Sequence, residues 1–141
     1  MNILISACLL GQYCRYDGQT KVYPQVQAFL GRDDIHLIPV CPEQCGGLAT
    51  PRPAAERQGK RVITANGSDV TAQYQRGAEA ALYWARLFHC TKAILKEKSP
   101  SCGHGQIYDG TFSRTLTAGD GVTAELLRAE GLEIIGESDL P

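Results

Sequence analysis

The chain carries six cysteines, and three of them, Cys8, Cys41 and Cys102, lie at or just beyond the ends of short apolar runs. Thiolates gathered from three loops are ligands for thiophilic metal, and both zinc and iron–sulfur clusters are held in this way. A structural zinc site wants a fourth protein ligand, often from CxxC pairs, and no CxxC occurs; Cys41 and Cys45 are spaced CxxxC. Three ligands from three loops suit an open, catalytic centre, with soft sulfur fitting iron–sulfur well and zinc still compatible with the spacing. The local settings are preorganised: Ser6-Ala7-Cys8-Leu9-Leu10-Gly11, Cys41-Pro42-Glu43 followed by Gly46-Gly47, and Ser99-Pro100-Ser101-Cys102-Gly103. Glycine beside a ligand lets backbone N–H groups approach a cluster or an anion.

Other groups stand close to these thiols in sequence. Glu43 is two residues from Cys41 and could move a proton to and from a reacting water; otherwise it is a solvated loop glutamate or a cap. Ser99 or Ser101 could donate to developing charge, or brace the turn before Cys102. Lys96 and Lys98 follow an apolar run, where one could meet an anionic substrate or merely line a solvated rim. Arg15 and Arg52 either bind a carbonyl or phosphate or brace a loop, with Asp17 and Glu56 as partners. Tyr13 and Tyr16 could stack on a flat base. His104 reads as polar surface, Cys90 as a small buried hydrophobe.

The elements that must position these groups follow from hydrophobic patterning. Residues 2–7, rich in isoleucine, read as a buried strand. A short helix spans 24–30, with Pro24 in its first turn. A second strand covers 35–40, whose last residues Pro39 would pull from the ladder. Gly and Pro between Pro42 and Pro53 forbid regular structure there. Residues 61–65 form a short edge strand. The clearest helix is 70–88, capped by Ser68 or Asp69, with Val70, Tyr74, Ala78, Ala81, Leu82 and Ala85 on one face. Strands at 92–95 and 132–135 enclose a helix at 122–130 that Gly131 ends. Strands alternating with helices predict right-handed crossovers and a single α/β domain, 1–141, with a mainly parallel, Rossmann-like sheet and long loops at the strand C-terminal ends. Ligands bind at that edge of such a sheet, so the fold would gather the three cysteines there.

Composition bounds the function. With 141 residues, 43% apolar and 21% charged, and a net charge of -1, the chain fits one globular domain with no field that draws it to nucleic acid or membrane. No positive leader or long apolar stretch is present, so a cytoplasmic protein is expected, where six cysteines are not three structural disulfides. GxGxxG does not follow the first strand, which argues against a dinucleotide site.

Four motifs in order carry a family resemblance: Ser6-Ala7-Cys8-Leu9-Leu10-Gly11 with Cys14-Arg15-Tyr16-Asp17-Gly18; Cys41-Pro42-Glu43 with Gly46-Gly47-Leu48 and Pro51-Arg52; Ile94-Leu95-Lys96 with Ser99-Pro100-Ser101-Cys102-Gly103; and Gly121-Val122-Thr123-Ala124. Over nearly its whole length the chain resembles the family of small bacterial proteins that includes thiouracil desulfidase. The resemblance implies a [4Fe–4S] cluster held by Cys8, Cys41 and Cys102, with Cys14 as a thiol that replaces one of them or sits beside the cluster. It implies a non-redox reaction in which a small thiolated base or nucleoside and water give the oxo base and hydrogen sulfide. It places Glu43 as acid/base and Ser99 or Ser101 as its assistant, with Arg15, Tyr16, Asp17, Gly46, Gly47, Arg52 and Lys96 around the substrate. A zinc hydrolase at the same cysteines, and a non-enzymatic iron–sulfur sensor or binding module, are the alternatives. Oligomeric state is not legible.

Overall fold

Apolar residues alternate along the first strand, and this alternation organises both faces of the sheet. In the computed structural model, which describes residues 1–140, β1 (Asn2–Ser6) sends Leu4 to one face and Ile3 and Ile5 to the other. Its neighbours β2 (His36–Val40) and β5 (Lys92–Leu95) flank it in parallel, and β8 (Glu133–Gly136) adds to β5, giving the order β2-β1-β5-β8. Leu4, Ala93 and Leu95 pack under α3 (Thr71–Leu87) and α4 (Val122–Ala129), against Ala81, Leu82, Ala85 and Leu127. Ile3, Ile5 and Ile94 pack on the opposite face against Leu9, Tyr23 and Val26 near α1 (Pro24–Gln27). Each fully buried Leu or Ile of these layers contributes roughly 1.5–3 kcal/mol of transfer free energy. The sheet is therefore the expected parallel α/β layer, wound on both faces.

Several boundaries differ from the sequence expectation. Pro39 does not end the β2 ladder: Ile5 pairs with Pro39 and Ser6 with Val40. β2 is an edge strand, so the missing N–H costs no bond on the outer side. The first strand stops at Ser6, because Ala7–Leu10 close into a 3₁₀ turn that lifts Cys8 off the sheet, and Gly11 terminates it. The Gly/Pro-rich stretch after Cys41 is not wholly irregular, since Pro42 starts the short helix α2 (Pro42–Cys45). The strand expected at 61–65 is β4 (Arg61–Thr64), which pairs with β3 (Ala55–Gln58) in a separate antiparallel hairpin. A second hairpin, β6 (Gln106–Tyr108) with β7 (Leu116–Ala118), occupies the loop after Cys102. Asp69, not Ser68, meets the start of α3, accepting the Thr71 N–H at 2.9 Å.

Candidate active site

The chain leaves β1 on one side toward β2 and returns on the other toward β5, so a crevice opens at the C-terminal ends of adjacent strands. A cavity of about 550 Å³ lies there. Its wall includes Cys8 after β1, Cys41 after β2 and Cys102 after β5, together with Cys14 from the loop between. All six cysteines are free thiols. Cys14 is buried, and its carbonyl oxygen accepts from the Cys41 thiol at 3.7 Å. The Cys41 thiol pulls the Cys14 pKa down, but the Cys8 thiol, burial and the nearby charges outweigh it and push the Cys14 thiol up to about 11. Cys41 is pushed up by its hydrogen bond to Cys14, then by burial and Glu43. Cys102 is pushed up by burial, then by the Glu43 charge, while Ser6 and Ser101 hydroxyls bonded to it oppose the shift. Four soft donors facing one cavity are chemically suited to a thiophilic cationic group. Among the described residues no three His, Cys, Asp or Glu converge closely enough to hold a single ion.

Glu43 stands in the first turn of α2 and lines the same cavity. Burial raises its carboxyl above the usual range; the Arg52 guanidinium, 3.7 Å away, and a bond from Ser101 draw it back. Arg52 is itself buried and donates to the carbonyl oxygens of Cys14 and Ala49 and to Thr50 Oγ1. It therefore ties the Cys14 loop to α2 while facing the carboxylate. The two serines separate by geometry. Ser101 is fully buried, off the cavity, with Oγ 2.8 Å from Thr123 Oγ1 on α4. Ser99 lines the cavity, and its Oγ accepts the N–H groups of Ser101 and Cys102, each at 3.1 Å. With both acceptances filled from the backbone, its own proton remains to donate elsewhere.

Of the expected substrate groups, Arg15, Tyr16, Arg52 and Lys96 line the cavity. Asp17 does not; it pairs with Arg15 at 3.3 Å. Gly46 and Gly47 lie off the cavity as well: Gly46 packs against the backbone of α3, and Gly47 is exposed at the end of α2. Tyr13 is exposed outside it, His104 pairs with Asp120, Cys45 is exposed, and Cys90 is buried in the core.

Several residues at the site were not singled out by the sequence. Ser6 is buried at the end of β1, lines the cavity and accepts the Lys96 N–H at 2.9 Å. The nearly buried Glu137 takes Lys96 Nζ at 2.8 Å and the Glu97 N–H at 2.7 Å, so it fixes where that lysine enters the cavity. Tyr23 Oη is buried without a partner among the described residues, and the charges of Lys96 and Cys8 both act on it. Phe112 and Arg114 line the rim in the left-handed region, at φ 58° and 60°, as does Lys98, already named from the sequence, at φ 67°. Three non-glycine residues in this sparsely populated backbone region thus surround one opening. A serine interrupting an apolar run, two residues before Cys8, was the one available signal for Ser6; Glu137, Tyr23, Phe112 and Arg114 depend on tertiary contacts.

The pattern of 2-thiouracil desulfurase matches residues 3–139. The chain belongs to the 2-thiouracil desulfurase family. This family member is 40% identical to the uncharacterized protein YbbK of Bacillus subtilis (strain 168), over 98% of this chain and 97% of the relative. It is also similar to the solved structure of the [4Fe-4S]-dependent thiouracil desulfidase TudS, with 47% identity and a TM-score of 0.88 over 99% of this chain and 93% of that one. Family and fold thus agree with the resemblance carried by the four motifs. No helix among the described residues is long and apolar enough to cross a membrane.

Proposed function

We propose that this desulfurase-family protein is a [4Fe–4S]-dependent desulfidase that replaces the thione sulfur of a small thiolated base or nucleoside by oxygen, without redox change. The observation that carries this reading is the meeting of Cys8, Cys41 and Cys102 with Glu43 in one cavity. Cys8, Cys41 and Cys102 would hold the cluster, and Cys14 would stand beside it. When bound, the cluster supplies Lewis-acid activation of the carbon–sulfur bond with no electron transfer. The similarity to TudS supports this assignment, as does the donor set. A reducing cytoplasm would keep six thiols free.

The remaining work falls to the chain. Glu43 takes a proton from water as the water oxygen bonds to the thione carbon. The same carboxyl returns that proton to sulfur as the C–S bond breaks, and the second water proton follows, so that base and water give the oxo base and hydrogen sulfide. Burial suits Glu43 to this exchange, because a carboxylate raised above its usual range is a better base. Arg52 orients it. Ser99 donates to charge building on the base. Tyr16, Tyr108 and Phe112 offer flat surfaces for stacking a ring, and Lys96 and Lys98 favour its anionic form.

Anaerobic reconstitution, followed by iron and sulfide analysis and a sulfide-release screen over thiolated bases and nucleosides, tests the proposal. Brown protein with about four irons per chain and stoichiometric release of sulfide from 2-thiouracil or a close relative is expected. Colourless protein with one tightly bound zinc, or a loaded cluster that releases sulfide from none of the substrates, would sink it.

A further inference from the structure

Tyr74 belongs by pattern to the apolar face of the long helix, and it is only 4% exposed. Its body packs with Val62 and Val70, and Leu48, Ala55 and Val122 close around them. Yet Tyr74 also lines the cavity of the thiols. The topology explains why. Crossover helices run antiparallel to the strands, so α3 begins at the edge where the strands end, and Tyr74 sits in its first turns. Helical side chains tilt toward the N-terminus, which brings this ring to the crevice.

The hydroxyl is the informative part. Among the described residues the only buried side-chain oxygen or nitrogen lacking a partner is Tyr23 Oη. The Tyr74 hydroxyl also bonds no described side chain or carbonyl, so it must open on the cavity. Burial, then the Glu43 charge, hold it firmly protonated, partly offset by Arg52, and Cys102 and Cys41 act on it as well. Tyr74 lines the same cavity as Glu43, the proposed base, and as Cys41 and Cys102, two of the proposed ligands.

We propose that Tyr74 is a further catalytic residue, whose hydroxyl donates a hydrogen bond to a ring carbonyl or nitrogen of the thiolated base. The inference rests on the desulfidase reading and adds to it. Water attack at the thione carbon drives electron density onto the ring heteroatoms. A neutral donor fixed in a desolvated wall stabilises that charge more than it stabilises the uncharged ground state. Ser99, reaching from the loop before Cys102, and Tyr74, reaching from α3, would then clamp the base from two elements.

The test compares wild-type and Tyr74→Phe holoprotein, both reconstituted anaerobically, in sulfide release from 2-thiouracil. Phenylalanine keeps the ring that packs on Val62 and Val70, so fold and cavity shape are retained. Expected are unchanged iron and sulfide content, an unchanged thermal midpoint, and a kcat lower by roughly 10- to 100-fold, the range for one donor to a developing charge, with KM altered far less. A variant with wild-type kcat overturns the proposal, whether or not KM rises, because the tyrosine would then be only a wall. Loss of iron from the variant also overturns it, by assigning the hydroxyl to upkeep of the cluster. A loaded wild-type protein that releases no sulfide removes the desulfidase reading itself and this role with it; an active wild type beside an equally active variant removes only this role.

Discussion

At the scale of single residues, the four thiols around the cavity do not have equal surroundings. Cys102 is buried, while Cys14, also buried, offers its carbonyl oxygen to the Cys41 thiol and to Arg52. Cys8→Ala, Cys41→Ala and Cys102→Ala are each expected to lose most iron after anaerobic reconstitution, whereas Cys14→Ala retains it. Iron and sulfide counts per chain check this, and a Cys14→Ala protein without iron would reassign the ligand set. Glu43→Gln keeps the shape of the side chain and its place beside Arg52 but removes the proton acceptor. Its cluster absorption is expected to match the parent, with turnover reduced by about 100-fold; full turnover would take the acid/base role away. The thiols and Glu43 were legible in sequence because each follows a strand end or stands two residues from one that does. The division between Ser99 and Ser101 was not, since it depends on which hydroxyl meets Thr123 across 22 residues. Tyr74 was hidden for the opposite reason: its place in a regular apolar stripe concealed that the first turns of that stripe face the crevice.

At the scale of elements, Cys41 and Glu43 are aimed by the contact between α2 and α3. The two helices touch backbone to backbone. A Cβ placed at Gly77 would lie 2.0 Å from the Pro42 carbonyl oxygen, and one at Gly46 would lie 1.9 Å from that of Gln73. Only glycine permits this approach. Gly46, expected at the substrate, thus acts one layer behind it. Gly77→Ala is expected to force α2 away, destabilising the protein by about 1–3 kcal/mol, as overpacking does, and lowering both iron retention and turnover. A thermal midpoint and iron content equal to the parent would show that α2 can move without consequence. The sequence missed this helix because four residues are too few to show a period. The parallel strands were legible, being continuous apolar runs buried on both faces. The hairpins were not: β6 and β7 have three residues each, β7 is wholly exposed, and such pairing leaves little hydrophobic pattern.

At the scale of the whole molecule, the sheet carries one side of the cavity and the two hairpins carry the other, so the site is complete only while the hairpins hold each other. Glu56 on β3 makes that link. Its Oε1 accepts the N–H groups of Gly110 at 3.0 Å and Phe112 at 3.1 Å, and Gln58 Nε2 donates to the Gly110 carbonyl at 2.9 Å. Arg57 then fastens β3 to the body through the Asp120 carbonyl and Glu125. The held loop contains Phe112 and Arg114 in strained, left-handed conformations, and the Glu56 and Gln58 bonds help to hold it there. Removing the acceptor in Glu56→Ala leaves two backbone donors unpaired and costs about 1–3 kcal/mol. The expected results are faster hydrogen exchange at the Gly110 and Phe112 amides, unchanged iron content, and a KM raised more than kcat is lowered. That split arises because the loop shapes the substrate end of the cavity, whereas the thiols and Glu43 stand on the other elements. Exchange rates and KM both equal to the parent would mean that the loop keeps its shape without the carboxylate, and the strain at its tip would then be borne by the β6–β7 pairing instead.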